Sequence, residues 1–184
     1  MRHQFRAAAI AMGISFAAAA AWSATDPMVG GAAMYPNKNI VENAVNSKDH
    51  TTLVAAVKAG GLVDTLESKG PFTVFAPTNN AFTMLPAGTV DTLLKPENKA
   101  TLDKILTYHV VAGTISSADL VKMIKAGHGK ATLKTVEGGT LTATLGGQDV
   151  MITDEKGDVA RVTIADVFQS NGVIHVVDHV LLPG

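Results

Sequence analysis

Asn171-Gly-Val-Ile-His-Val-Val-Asp-His-Val-Leu-Leu-Pro183, one residue short of the last in the sequence, is apolar on two alternating faces. Ile174, Val176 and Val180 fall on one side, and Val173, Val177 and Leu181 on the other. A strand of this kind belongs in the middle of a sheet with both faces covered. Asn171-Gly172 in front of it offers the positive φ that a tight hairpin demands. Further back, from Lys130 onward, the hydrophobic period is two, most plainly in Thr140-Leu-Thr-Ala-Thr-Leu145. Gly138-Gly139, Gly146-Gly147 and Glu155 to Gly157 separate the alternating runs, so the C-terminal third reads as a meander of strands.

Before Lys130 the period is that of helices. Asn39-x-x-Glu42 forms a capping-box pattern ahead of Ile40, Val41, Ala44 and Val45. Asp49 is placed to cap a second helix with Leu53, Val54, Ala56 and Val57 on its apolar face, ended by Gly60-Gly61. A helical turn over Leu62 to Ser68 follows, and Phe72 to Ala76 reads as a buried strand after the Gly70-Pro71 break. Thr78 or Asn79 caps a turn carrying Phe82 and Leu85 up to Pro86. Thr89 to Leu94 and Glu97 to Thr107 are helical, Tyr108 to Ile115 extended, and Ser116-x-x-Asp119 opens a last helix closed by Gly127. Helices first and strands last, without βαβ alternation, predict an α+β domain: N-terminal helices packed on largely antiparallel β-sheets formed mainly by the C-terminal half.

The first residues add an address. Arg2 and Arg6 precede an uncharged, alanine-rich run from Ala7 to Ala24, the pattern of a secretory signal peptide over residues 1–24, cut between Ala21 and Thr25. The run is too weakly apolar for stable membrane insertion. Residues 25–38, rich in Gly, Pro, Ala and Met, read as a flexible arm, and residues 39–183 as the domain. Without the signal, 13 basic and 16 acidic residues remain, with Arg161 the only arginine and the sole tryptophan, Trp22, gone. That balance excludes nucleic acid as partner, since a phosphate-tracking surface needs clustered cations and stacking rings. No cysteine is present, so neither disulfides nor thiolate metal sites contribute. About 160 residues suffice for one core that buries roughly 70% of the unfolded surface.

Two segments carry a resemblance: Thr73-Val-Phe-Ala-Pro-Thr-Asn-Asn-Ala-Phe82 and the Asn171 to Pro183 stretch, with Tyr108-His109 between them. In order and separation they resemble the signature stretches and the Tyr-His pair of fasciclin (FAS1) domains, over about Asn39 to Pro183. The resemblance implies a compact α+β fold and a secreted, extracellular or periplasmic module for cell adhesion or matrix contact, host association included, in which no catalysis and no cofactor is expected. Its partner would be a cell-surface or matrix protein or a polysaccharide. The family's first motif often has an acidic residue where Asn79-Asn80 stands here, and no Arg-Gly-Asp tripeptide is present.

Thr78, Asn79, Asn80, Tyr108, His109 and Asn171 are the candidate partner-binding positions, each with a structural alternative: a cap for Thr78, local polarity for the two asparagines, a framework role for the Tyr-His pair. No metal site is expected. On one strand His175 and His179 would stand ~13 Å apart, too far to share an ion. Asp178 is expected on a buried face, either fixed by hydrogen bonds or joined to His109 or His175 as a proton relay. No G-x-S-x-G elbow supports a secreted hydrolase. Asp154 to Asp158 lacks an EF-hand pattern and reads as a solvated hairpin tip. A periplasmic binder of a small apolar or lipid-like ligand is the alternative function, if the Ala- and Val-rich helices leave a cavity.

Overall fold

The computed structural model describes residues 26–184; the signal segment and the cleavage site expected between Ala21 and Thr25 lie outside them. The described residues begin with a small hairpin, β1 (Met28–Val29) and β2 (Ala32–Ala33). This corrects the reading of residues 25–38 as a flexible arm. Val29 and Met34 are only 4% and 2% exposed, and burying two such side chains stabilises by several kcal/mol in all, at about 1.5–3 each.

Helices α1 (Ile40–Ala44), α2 (Thr51–Gly60) and α3 (Val63–Glu67) follow. The Asn39–Glu42 capping box forms in full, and Gly61, at φ 74°, ends α2 in the left-handed conformation that only glycine adopts without strain. Asp49 does not cap α2. It lies in a 3-10 turn, Lys48–His50, and the cap comes from elsewhere, as described below. Strand β3 (Phe72–Pro77) leads into α4 (Asn79–Thr83), α5 (Thr89–Leu93) and α6 (Lys99–Tyr108). The extended stretch after α6 is shorter than Tyr108 to Ile115: Tyr108 is the last helical residue and β4 covers Val110–Ala112. Helix α7 (Ser117–Ala126) carries the Ser116–Asp119 capping box.

The meander is β5 (Lys130–Lys134), β6 (Thr140–Gly146), β7 (Asp149–Thr153), β8 (Val159–Gln169) and β9 (Gly172–Val177). One seven-stranded sheet results, in the order β4-β3-β9-β8-β7-β6-β5. Every pairing in it is antiparallel except β3 with β9. Strand β9 is buried along its whole length and internal to the sheet, as its two apolar faces demand. It ends at Val177, so His179 and Leu181 lie beyond it.

The sheet bends until its ends meet. Val111 of β4 bridges Thr135 just after β5, and Val136 N donates to Val110 O at 2.8 Å. Curvature enters at β8, whose register against β9 shifts on both sides of Ile164, with Asp166 at φ 59°. Two cores result. One, including Leu53, Val57, Val74 and Ile174, lies under α1 to α3 and α6; the other, including Phe75, Leu120, Ile152 and Leu181, lies under α7.

Candidate functional site

Of the six positions singled out in the sequence, Asn80 is exposed, Thr78 and Asn79 are half-buried, and Tyr108, His109 and Asn171 are buried. They do not converge on one surface. Thr78 caps α4, its hydroxyl accepting from Ala81 N at 3.3 Å. Asn79 reaches across to the start of α2: Oδ1 accepts from Thr52 N at 3.0 Å and from the Thr51 hydroxyl at 3.2 Å. Its Nδ2 donates to Lys48 O at 2.8 Å. Asn79 therefore caps a helix that has no side-chain cap of its own, and of the polar trio only Asn80 presents an uncommitted amide to solvent.

Tyr108 is fully buried, and its hydroxyl donates to Thr140 O at 2.7 Å while accepting from Glu155 N at 3.0 Å. Burial pushes the phenol up to about 12, so it works as a neutral hydroxyl tying α6 to two hairpins. Asn171 is a second hub. Its Oδ1 accepts from Ile40 N at 3.0 Å, and Nδ2 donates to Leu66 O at 2.6 Å and to Ser68 O at 2.8 Å. His109 is held between α6 and the C-terminal segment and is kept neutral by burial, which lowers its pKa to about 4.

Asp178 is half-exposed, not buried, because β9 ends one residue earlier. It accepts from Arg161 N at 2.8 Å, and its histidine neighbour is His179 at 2.7 Å, so the relay with His109 or His175 does not form. His175 accepts from Asp166 N through Nδ1 and donates through Nε2 to Ile115 O, 2.8 Å away. Its ring stacks on Phe75 with centroids 5.7 Å apart. Asp154 is not a solvated tip: it is 6% exposed and accepts from Lys156, Asp158 and Leu182 N–H groups, each at 2.9 Å. Sequence reasoning missed it, and the Asp-x-x-Gly turn spacing from Asp154 to Gly157 was the available signal.

Two concavities stand out among the described residues. An open cleft of about 380 Å³ beside α4 is lined by Thr52, Asn79, Phe82, Thr83, Pro86 and Asp91, among others. Asn80 and the 60%-exposed Met84 lie on the same short helical segment. The second concavity is internal, about 70 Å³ between the first three helices and the sheet, with walls that include Val41, Leu53, Val57, Leu66, Val74 and Ile174. His50 and His109 also line it, both with pKa values lowered by burial. Nδ1 of His50 meets the Ser47 hydroxyl at 2.9 Å, whereas its Nε2, on the Ala76 side, has no partner at hydrogen-bonding geometry.

The fasciclin domain profile matches residues 48–183. The chain belongs to the fasciclin domain family. Among curated fasciclin relatives, protein sll1483 of Synechocystis is 50% identical over 146 residues, covering 78% of this chain and 73% of that protein. Immunogenic protein MPB70 of Mycobacterium bovis is 39% identical over 145 residues, covering 76% and 66%. The cell surface glycolipoprotein MPB83 of the same species is 35% identical over 160 residues, covering 87% and 62%. Among solved structures, the FAS1 domain pair of the insect cell adhesion molecule fasciclin I aligns with a TM-score of 0.72 at 20% identity, over 80% of this chain and 51% of that one. The last likeness carries the fold alone, and it is the fasciclin α+β fold. No helix among the described residues is long and apolar enough to cross a membrane.

Proposed function

We propose that this fasciclin protein is exported and acts as a non-catalytic adhesion module, touching a cell-surface or matrix protein or a polysaccharide through the cleft beside α4. The observation that carries the reading is that cleft: it is open, it mixes polar Thr52, Thr83 and Asp91 with apolar Phe82 and Val90, and Asn80 and Met84 stand exposed on the same segment. An apolar centre inside a polar rim is the usual anatomy of a protein contact. The fold shared with an insect cell adhesion molecule and the cell-surface designation of MPB83 point the same way.

The test is attachment of cells or matrix to the purified protein. The Thr83→Ala/Asp91→Ala double variant, which removes two exposed side chains lining the cleft, should melt within a few degrees of wild type and lose attachment. Full attachment by the folded variant would reject this cleft as the contact surface. For export, N-terminal sequencing of the protein outside the cytoplasm should begin between Trp22 and Asp26, and a product starting at Met1 would reject the signal reading.

A further inference from the structure

Asn171-Gly172 is the one Asn-Gly pair in the sequence, and the fold demands both members for reasons other than turn conformation. Neither residue has positive φ, so the pair does not supply the left-handed turn that its sequence suggested. Glycine is needed for space: a Cβ at Gly172 would overlap the Phe72 carbonyl oxygen of the neighbouring strand β3. Asparagine is needed for its two-ended amide, which accepts from Ile40 N and donates to Leu66 O and Ser68 O. No carboxylate can make all three bonds, because it has no proton to donate.

These demands place at a buried point of the fold the dipeptide most prone to lose ammonia. A following glycine leaves the backbone nitrogen unshielded by a side chain, so the Gly172 nitrogen, once deprotonated, can attack Cγ of Asn171. The new N–Cγ bond closes a five-membered imide while the Cγ–Nδ2 bond breaks and ammonia leaves. Water then opens the ring. Opening at one carbonyl gives aspartate in an ordinary backbone, and opening at the other gives isoaspartate, whose backbone runs through Cβ and Cγ. The balance is one water taken up for each ammonia released.

The folded domain withholds what this reaction needs. Both residues are buried, away from base and water. Gly172 is paired with Phe72 on one side and Gln169 on the other, and the Asn171 carbonyl accepts from Phe72 N at 3.0 Å. The departing Nδ2 is tied to two carbonyls, so closing the ring breaks both of its bonds. Unfolding removes all of these restraints, and neither product can rebuild them in full. Aspartate turns a carboxylate toward Leu66 O and Ser68 O, acceptors against an acceptor. Isoaspartate lengthens the backbone just before Gly172, where β3 leaves no room.

We propose that Asn171 is a self-modification site kept latent by the fold: locked in the folded domain, it is converted to aspartate or isoaspartate by the Gly172 nitrogen in a chain that stays unfolded, and that chain no longer regains the native structure. Reversible unfolding thereby becomes irreversible with time. The reaction needs no partner and uses none of the residues of the α4 cleft.

The experiment holds the full chain for several days at mildly alkaline pH, in native buffer and in guanidinium chloride. Peptide mass spectrometry then follows Asn171, with isoaspartyl methyltransferase labelling for the second product. In denaturant Asn171 should react faster than Asn46 or Asn80. In native buffer it should react at least about 100-fold more slowly, because only the small unfolded fraction is open to attack. After removal of denaturant, chains carrying either product should be missing from the fraction that melts as wild type. Chains held equally long in denaturant at mildly acidic pH, where the Gly172 nitrogen keeps its proton, should refold. Equal rates in native buffer and denaturant would overturn the protection, and an Asn171 no faster than Asn46 or Asn80 in denaturant would overturn the site. Product-bearing chains that melt together with unreacted ones would overturn the loss of refolding.

Discussion

The backbone N–H of Leu181 donates to Nε2 of His109 at 2.9 Å, joining positions 72 residues apart. Since Nε2 accepts, the ring proton sits on Nδ1, which donates to the Ile105 carbonyl at 2.8 Å. The Leu181 bond requires the neutral ring, because a protonated Nε2 cannot accept. The end of the chain is thus clasped to α6 by a base that burial protects from protonation.

That clasp predicts a direction for pH. In the unfolded chain His109 takes its proton near 6.5, and in the folded chain only near 4. Between those values the unfolded state binds more protons, so stability is full above about pH 6.5 and falls as pH drops toward 4. From this ring alone the loss approaches about 3 kcal/mol. His50 and His175, lowered chiefly by burial, act in the same direction. Urea unfolding at pH 7, 5.5 and 4 measures the slope. His109→Gln, whose amide oxygen can still accept from Leu181, should reduce it. A wild-type stability that stays level from pH 7 to 4 would mean that these rings are not held neutral.

Asn79 and Asn80 are neighbours with opposite expectations. Asn79→Ala removes the acceptor for Thr52 N and the donor to Lys48 O, which is the loss of a helix cap and should cost about 1–2 kcal/mol. Asn80→Ala removes an exposed amide and should stay within about 0.5 kcal/mol. Thermal melts of the two single variants decide it. Equal melting temperatures would show that the reach of Asn79 to α2 is not made in solution.

The difference between those two asparagines also marks how far the sequence could be read. Periodicity and local signals gave the elements: the Asn39 and Ser116 capping boxes, the Gly61 stop and the doubly apolar β9 are all short-range patterns, and they formed. What stayed hidden was long-range. Nothing near Asn79 shows that its partner lies 27 residues back at Thr52, and nothing near Tyr108 points to Glu155, 47 residues on. Polar residues in a recognisable motif therefore read as candidate contacts with a structural role as the alternative, and three of the six are interior fasteners. The arm before Asn39 misled for a related reason. Its Val29 and Met34 follow no period, because a hairpin with two residues in each strand is too short to show one.

Asn171 offers the sharpest test of the fastener reading. Its side chain satisfies Ile40 N, Leu66 O and Ser68 O at once, in a buried position. Asn171→Ala leaves those groups without partners, at about 1–3 kcal/mol for each one that water cannot reach. We expect a loss of at least about 3 kcal/mol, or roughly 6–12 °C in melting temperature for a domain of this size. Asn171→Asp keeps the acceptor for Ile40 but not the two donors, and should fall between. A drop under about 2 °C for Asn171→Ala would remove Asn171 from the framework and return it to the list of contact residues.

Tyr108 should behave as a fastener with a local signature. Replacing it by Phe keeps the ring in the second core and removes only the hydroxyl, so packing is preserved while Thr140 O and Glu155 N each lose a partner. Because the two partners belong to exposed residues, Thr140 and Glu155, water can recover some of the loss on their side, and the cost should be about 1–2 kcal/mol. The structural consequence falls on the β7–β8 turn. Glu155 N is held by the Tyr108 hydroxyl, while Asp154 keeps its own bonds to Lys156, Asp158 and Leu182. Amide hydrogen exchange in Tyr108→Phe should therefore speed up at Glu155 and leave Leu182 and α6 protected as in wild type. Faster exchange across α6 as well would show that the phenol holds the helix itself and not only the turn it touches.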